Sequence, residues 1–225
     1  PTITTAATSD ILIAALAKQS FSSIIAKGQV LISELAGKRV GYPAGSSAHY
    51  GLLIALSSAG MKESDVRMVS LDVNEMSEAL AKNSIDAFTA WEPIPTIALG
   101  KHHDFAVVQR FLNSSYLYFA RNFARDNPEI AEQVAASFVR SLRWMRLSSV
   151  NLLKAAEWTI QAGEALQGKP YGATAQQIAD ITKSDILEIA SSPEIPARLL
   201  ERGGPVHKAF DLLKQQGKIA QPVSW

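Results

Sequence analysis

Gly37-Lys-Arg-Val-Gly-Tyr-Pro-Ala-Gly-Ser-Ser-Ala-His-Tyr50 is the stretch on which the fold turns. Arg39 to Tyr42 predicts a short strand, and Pro43 to Gly45 stop it, since proline donates no N–H and glycine favours a turn. Ser46 or Ser47 is a suitable N-cap, and Leu52, Leu53, Leu56 and Ala59 then recur at helical spacing until Gly60. A strand that feeds a helix N-terminus through a glycine turn directs free backbone N–H groups and two hydroxyls outward. Such a helix start suits an anion. The same serines serve equally well as plain caps, and the stretch alone leaves both readings open.

Upstream, Ile3 to Ala7 reads as a strand, and Ser9 as the cap of a helix through Lys18 with Ile11, Leu12, Ala15 and Leu16 as its stripe. Phe21 to Ala26 reads as a second strand, and Leu31 to Leu35 as a helical turn. Downstream the alternation repeats: strand Val66 to Leu71, helix Asn74 to Lys82, strand Ile85 to Thr89 closed by Trp91-Glu92-Pro93, and a short helix to Leu99. Phe105 to Gln109 and Ser115 to Ala120 predict two more strands. From Pro128 the pattern is helical, over 128–146, 150–162, 174–181 (with Thr174 as cap), 195–202 and 205–215. Alternation argues for an α/β fold with parallel or mixed sheets, crossover helices and a helical C-terminal part. Ligands in such sheets sit beyond the carboxyl ends of the strands, where Ala6 to Ser9, Ala44 to Tyr50 and Ala90 to Glu92 fall.

The totals narrow the function. With 225 residues the chain can bury a core as one large domain or two small ones. A net charge of +1 offers no electrostatic case for nucleic acid or an anionic membrane. The absence of cysteine excludes thiolate metal sites, cysteine nucleophiles and disulfides. Ile11 to Ala17, the longest apolar run, is too short to span a bilayer, and no basic segment with an apolar core marks an export signal at Pro1. Neither a Gly-x-Ser-x-Gly elbow, a phosphate loop nor a Gly-x-Gly-x-x-Gly fingerprint occurs. His102 and His103 beside Asp104 read as an exposed loop, so no metal and no cofactor is expected.

Trp91, at a strand end before a proline, either walls a pocket with its N–H free to donate or packs in a core. Glu92 either accepts from a ligand's amine or braces a hinge. His49, one turn into the helix, faces a pocket or lies on the helix surface. Asp86 reads as structural, bonding nearby backbone. Trp144 and Trp158 read as helix packing, and Tyr116 and Tyr118 share one strand face.

Glu34-Leu-Ala-Gly-Lys-Arg-Val-Gly41, Gly45-Ser-Ser-Ala-His-Tyr50, Ala79-Leu-Ala-Lys-Asn-Ser-Ile-Asp-Ala87, Trp91-Glu-Pro93 and Phe123-Ala-Arg-Asp-Asn-Pro128 follow one another in order. In that order and spacing the chain resembles the solute-binding proteins of nitrate/sulfonate/taurine-type ABC importers over roughly residues 1–150. The resemblance implies a two-lobed type II periplasmic-binding fold that closes on a small anion. It implies one lobe of 1–36 plus about 122–225, incomplete because the family's opening strand-helix-strand-helix section does not precede Thr2, and a second lobe of 37–121. It implies that Ser46 and Ser47 hold an anionic head group, that Trp91 packs on the ligand, and that Thr8 and Ser9 contact it from the other lobe. The partners implied are a small anion such as a sulfonate, taurine or nitrate, and an ABC permease, for a monomer in the periplasm or otherwise outside the cytoplasm. A ligand-sensing domain of a membrane signalling protein is the alternative. An enzyme of thiamine-pyrimidine synthesis shares the fold but relies on a cysteine-rich motif that this chain lacks.

Overall fold

The computed structural model describes residues 2–215 together with 217 and 219. Helix α1 (Thr2–Thr8) leads to β1 (Ile11–Lys27), a tight turn of helix at Ile32–Leu35, β2 (Arg39–Tyr42) and α2 (Ser47–Ser58). A second tight turn at Glu63–Asp65 precedes β3 (Arg67–Ser70), α3 (Met76–Ala81), β4 (Ala87–Trp91), α4 (Ile94–Lys101) and β5 (Phe105–Ala120). The rest is helical: α5 (Arg121–Asp126), α6 (Pro128–Leu147), α7 (Ser149–Gln167), α8 (Ala175–Thr182), α9 (Ala197–Leu200) and α10 (Pro205–Gln215). No helix among the described residues is long and apolar enough to cross a membrane.

The chain forms two compact units. The first comprises Pro1–Gln19, Ser114–Gln161 and Thr182–Trp225, the second Ser20–Asn113 and Ala162–Ile181. A five-stranded sheet has the order β3-β2-β4-β1-β5. Its strand β2 is parallel to β3 and β4, whereas β1 runs antiparallel to β4 with Ser22 opposite Trp91 and Ile24 opposite Thr89. The parallel pairs need crossovers, which α2 and α3 supply. Both strands β1 and β5 continue from the second unit into the first.

In the second unit both faces of β4 are covered. Ala87 packs with Ile24, Ala26 and Val40 beneath Leu52, Ala55 and Leu56 of α2. Phe88 and Ala90, pointing the other way as strand geometry requires, pack with Ile25, Met76, Leu80 and Ala98 under α3 and α4. Burial on both sides explains why Ala87-Phe-Thr-Ala-Trp91 shows no apolar–polar alternation. In the first unit Leu16, Leu142, Leu152, Leu199, Phe210 and Leu213 are buried. There the rings of Trp144 and Trp158 stack with centroids 5.6 Å apart, with Trp158 half exposed.

Three sequence expectations are corrected. Ile3 to Ala7 belongs to a helix, because α1 packs against α10 and tertiary contact overrides the extended preference of threonine and isoleucine. Residues Ile11 to Lys18, expected as a helix, open the long strand β1. Their run Ile-Leu-Ile-Ala-Ala-Leu-Ala has no polar face to set a period, and pairing with β5 decides it. The two strands expected at 105–109 and 115–120 are one, since Arg110 to Ser114 contain neither glycine nor proline to break it.

Asp86 fastens the start of β4 to β2, as its expected structural role implies. Its carboxylate accepts from the Arg39 backbone N–H at 2.8 Å and from the Arg39 guanidinium at 3.1 and 2.8 Å. The Arg39 side-chain bond, helped by the backbone bond, holds Asp86 down from 3.8 to about 2, against an opposing effect of burial. A folded value below the unfolded one stabilises the fold above pH 3.8, and that contribution disappears as the pH falls through about 2. Because the pair is partly solvated, Asp86→Asn should cost only about 1 kcal/mol at pH 7. Urea unfolding at pH 7 and pH 2 tests this: the deficit should shrink to a small fraction in acid, and an undiminished deficit there would count against the ion pair as its source.

Candidate functional site

Proline and glycine set the geometry of the turn between β2 and α2. Gly45 has a φ of +69°, a left-handed conformation in which a side chain is strained even though a Cβ there would meet nothing within 4 Å. Ser46 is the N-cap, and its Oγ accepts from the His49 N–H at 3.1 Å. The Ser46 N–H reaches the Pro43 carbonyl at 3.3 Å and the Tyr50 N–H the Ser46 carbonyl at 3.1 Å. Gly45 N–H donates to His49 Nδ1 at 3.3 Å. That leaves the N–H groups of Ser47 and Ala48 without an acceptor among the described residues, at the start of a 12-residue helix. Both serines are half-buried and so remain reachable. Burial pushes the Tyr50 phenol up to about 12.

The end of β4 lies beside this turn. Thr89, fully buried, donates its Oγ1 proton to the Ala48 carbonyl at 3.3 Å and ties the first turn of α2 to the sheet. Trp91, two residues on, projects from the same face of β4. It is half-buried. Across the antiparallel pair sits Ser22, whose buried Oγ accepts from the amide of Asn113 on β5. Trp91, Ser22 and Asn113 thus form a row across three adjacent strands. Sequence reasoning missed Ser22 and Asn113. The available signal was serine at alternate positions, Ser20 and Ser22, in a strand that continues as buried Ile24 and Ala26.

The other expected residues are spread out. His49 is 7% exposed, with its ring tilted on Tyr42 at 4.4 Å and its Nε2 3.7 Å from Glu63 Oε1, so its nitrogens engage the protein. Glu92 accepts from the Thr96 N–H at 3.2 Å and caps the first turn of α4. Thr8 and Ser9 are exposed in the first unit, where the Thr8 Oγ1 and the Ser9 N–H both donate to the Thr5 carbonyl. Ser46, Ser47, His49 and Trp91 all lie in the second unit. Thr8 and Ser9 belong to the other. His102 stacks on Phe105 at 4.4 Å, and no cluster among the described residues has the makings of a metal site. In the first unit Tyr116 is half-buried, and burial raises its phenol above the usual range.

A taurine-binding periplasmic protein of Escherichia coli (strain K12) is 25% identical over 208 residues, covering 83% of this chain and 58% of its own length. A binding protein of Brucella abortus (strain 2308) is 32% identical over 122 residues, covering 50% of this chain and 38% of its own length. The chain thus spans well under two thirds of these curated relatives. The crystal structure of the periplasmic aliphatic sulphonate binding protein of Escherichia coli superposes with a TM-score of 0.68 at 21% identity, over 99% of this chain and 74% of that one. That likeness establishes the periplasmic-binding-protein fold. Residues 11–148, more than half of the chain, match the NMT1/THI5-like family, and the chain belongs to that family.

Proposed function

We propose that this protein is the solute-binding component of an ABC importer, a receptor with no catalytic step. Its solute is a small organic anion with a sulfonate-type head group. The observation that carries the reading is the unused N–H of half-buried Ser47, together with its hydroxyl, at the start of α2 and in the same unit as Trp91. A tetrahedral oxyanion accepts N–H and O–H bonds at once, and the positive end of α2 favours its charge. Trp91 supplies an apolar wall for the carbon tail. The names of the relatives, which refer to binding taurine and aliphatic sulfonates, support the same class. A permease partner, a location outside the cytoplasm and a monomeric state belong to the proposal. So does a contribution to binding from Thr8 and Ser9.

The test is a fluorescence titration of the full-length protein with taurine, hexanesulfonate and nitrate. At least one sulfonate should quench the tryptophan emission, and Trp91→Phe should remove most of that change. Trp91→Ala should weaken binding by about 2 kcal/mol, roughly 30-fold in Kd, with the unfolding midpoint little changed. Silence towards all three compounds would remove the receptor reading. A collapse of the fold in Trp91→Ala would return the indole to the core.

A further inference from the structure

We propose that His49 is the positioning residue of the serine turn, acting through Gly45 rather than on the ligand. The proposal rests on the anion-receptor reading above and assigns the element that keeps its site in shape. Gly45 is left-handed, and nothing packs where its side chain would be, so no steric contact holds it there. The Ser46 N–H bond to the Pro43 carbonyl closes the turn around it, and its own N–H is held by the 3.3 Å bond to His49 Nδ1, one helical turn ahead. That bond requires Nδ1 to be unprotonated, so the ring hydrogen sits on Nε2. Nε2 lies 3.7 Å from Glu63 Oε1, too far for a hydrogen bond but close enough for the carboxylate to favour a ring hydrogen on that side. The tilted Tyr42 ring, 4.4 Å away, and the burial of the imidazole fix the plane in which Nδ1 points.

The consequence concerns which amides remain for a ligand. His49 takes up the Gly45 N–H through its side chain, and Ser46 Oγ takes up the N–H of His49 itself. One residue therefore ties both flanks of the turn, and the two N–H groups between them, at Ser47 and Ala48, stay aligned and unused. Without the Nδ1 acceptor, Gly45 is free to leave its conformation and carry Ser46 and Ser47 with it. The chain runs Glu63 to His49 to Gly45 to the serines, and only its last member would touch an anion.

Two variants of the full-length protein separate this role from simple packing. His49→Phe keeps an aromatic ring against Tyr42 but has no acceptor; His49→Asn keeps an acceptor oxygen at the place of Nδ1 but loses the ring. Affinity for taurine and hexanesulfonate, and amide exchange at Gly45 by NMR, are measured for each. His49→Phe should weaken binding about tenfold, the size of one lost hydrogen bond, and should expose the Gly45 amide to exchange. His49→Asn should restore most of the affinity and protect Gly45, although its unfolding midpoint falls further. Equal losses in the two variants would assign His49 to packing and overturn the proposal, as would full affinity in His49→Phe. If the wild type binds neither sulfonate, the receptor reading fails, and the Gly45 amide still decides the present claim: protection unchanged in His49→Phe overturns it, and protection lost there but kept in His49→Asn sustains it.

Discussion

Phe88→Ala should destabilise the second unit by about 4 kcal/mol, a large share of a domain's usual 5–15 kcal/mol. Phe88 is fully buried on the central strand β4, between β2 and β1, where the sheet has no edge to relax into. Its ring fills the layer between the sheet and α3 and α4, against Ile25, Met76, Leu80 and Ala98. Its Cβ also lies 3.4 Å from where a side chain on Gly41 of β2 would begin, so β2 and β4 are already close there. A cavity in such a layer closes poorly, which puts the cost in the upper part of the range for phenylalanine. Urea unfolding followed by circular dichroism measures it, with Phe88→Leu as the milder comparison. A loss under about 1 kcal/mol would mean that Met76 refills the space, as a flexible side chain can, and that the layer is softer than its burial implies.

What the sequence revealed follows from how local each determinant is. The β2–turn–α2 unit was legible almost to the residue, because Pro43, Gly45 and the Ser46 cap all act within a few positions of one another. Trp91 was legible as a strand end because Pro93 follows it. The helix expected over 128–146, observed as Pro128–Leu147, was legible from Pro128 at its first turn. β1 was not, since an apolar run of isoleucine, leucine and alanine satisfies helix and strand alike until a partner strand is known. The row of Ser22, Asn113 and Trp91 depends on register between strands far apart in sequence, and Ser22 and Asn113 lie 91 positions apart. No local pattern carries that information. The His49 ring was ambiguous for the same reason, because its partner Glu63 sits beyond the far end of α2.

Gly51→Ala should cost about 3 kcal/mol, although alanine is the better helix former by about 1 kcal/mol. A methyl group there would begin 1.7 Å from Phe111 Cε2, 2.1 Å from Cδ2 and 2.2 Å from Cζ, well inside contact distance. Phe111 is partly buried against the cluster under α2, so swinging the ring clear would break its contacts there. Either the ring leaves its place or α2 lifts from the sheet, and lifting α2 strains the 3.3 Å bond from Thr89 to the Ala48 carbonyl. The serine turn then moves away from Trp91, so sulfonate affinity should fall together with stability, unlike the Trp91→Ala effect, which should fall on affinity alone. A double-mutant cycle isolates the cause. Phe111→Ala is destabilising by itself, yet in that background Gly51→Ala should become neutral or mildly stabilising as its helix propensity emerges. An unchanged cost in both backgrounds would show that the close approach of α2 to β5 does not limit this position, and the helix would have to be held by its contacts with β4 instead.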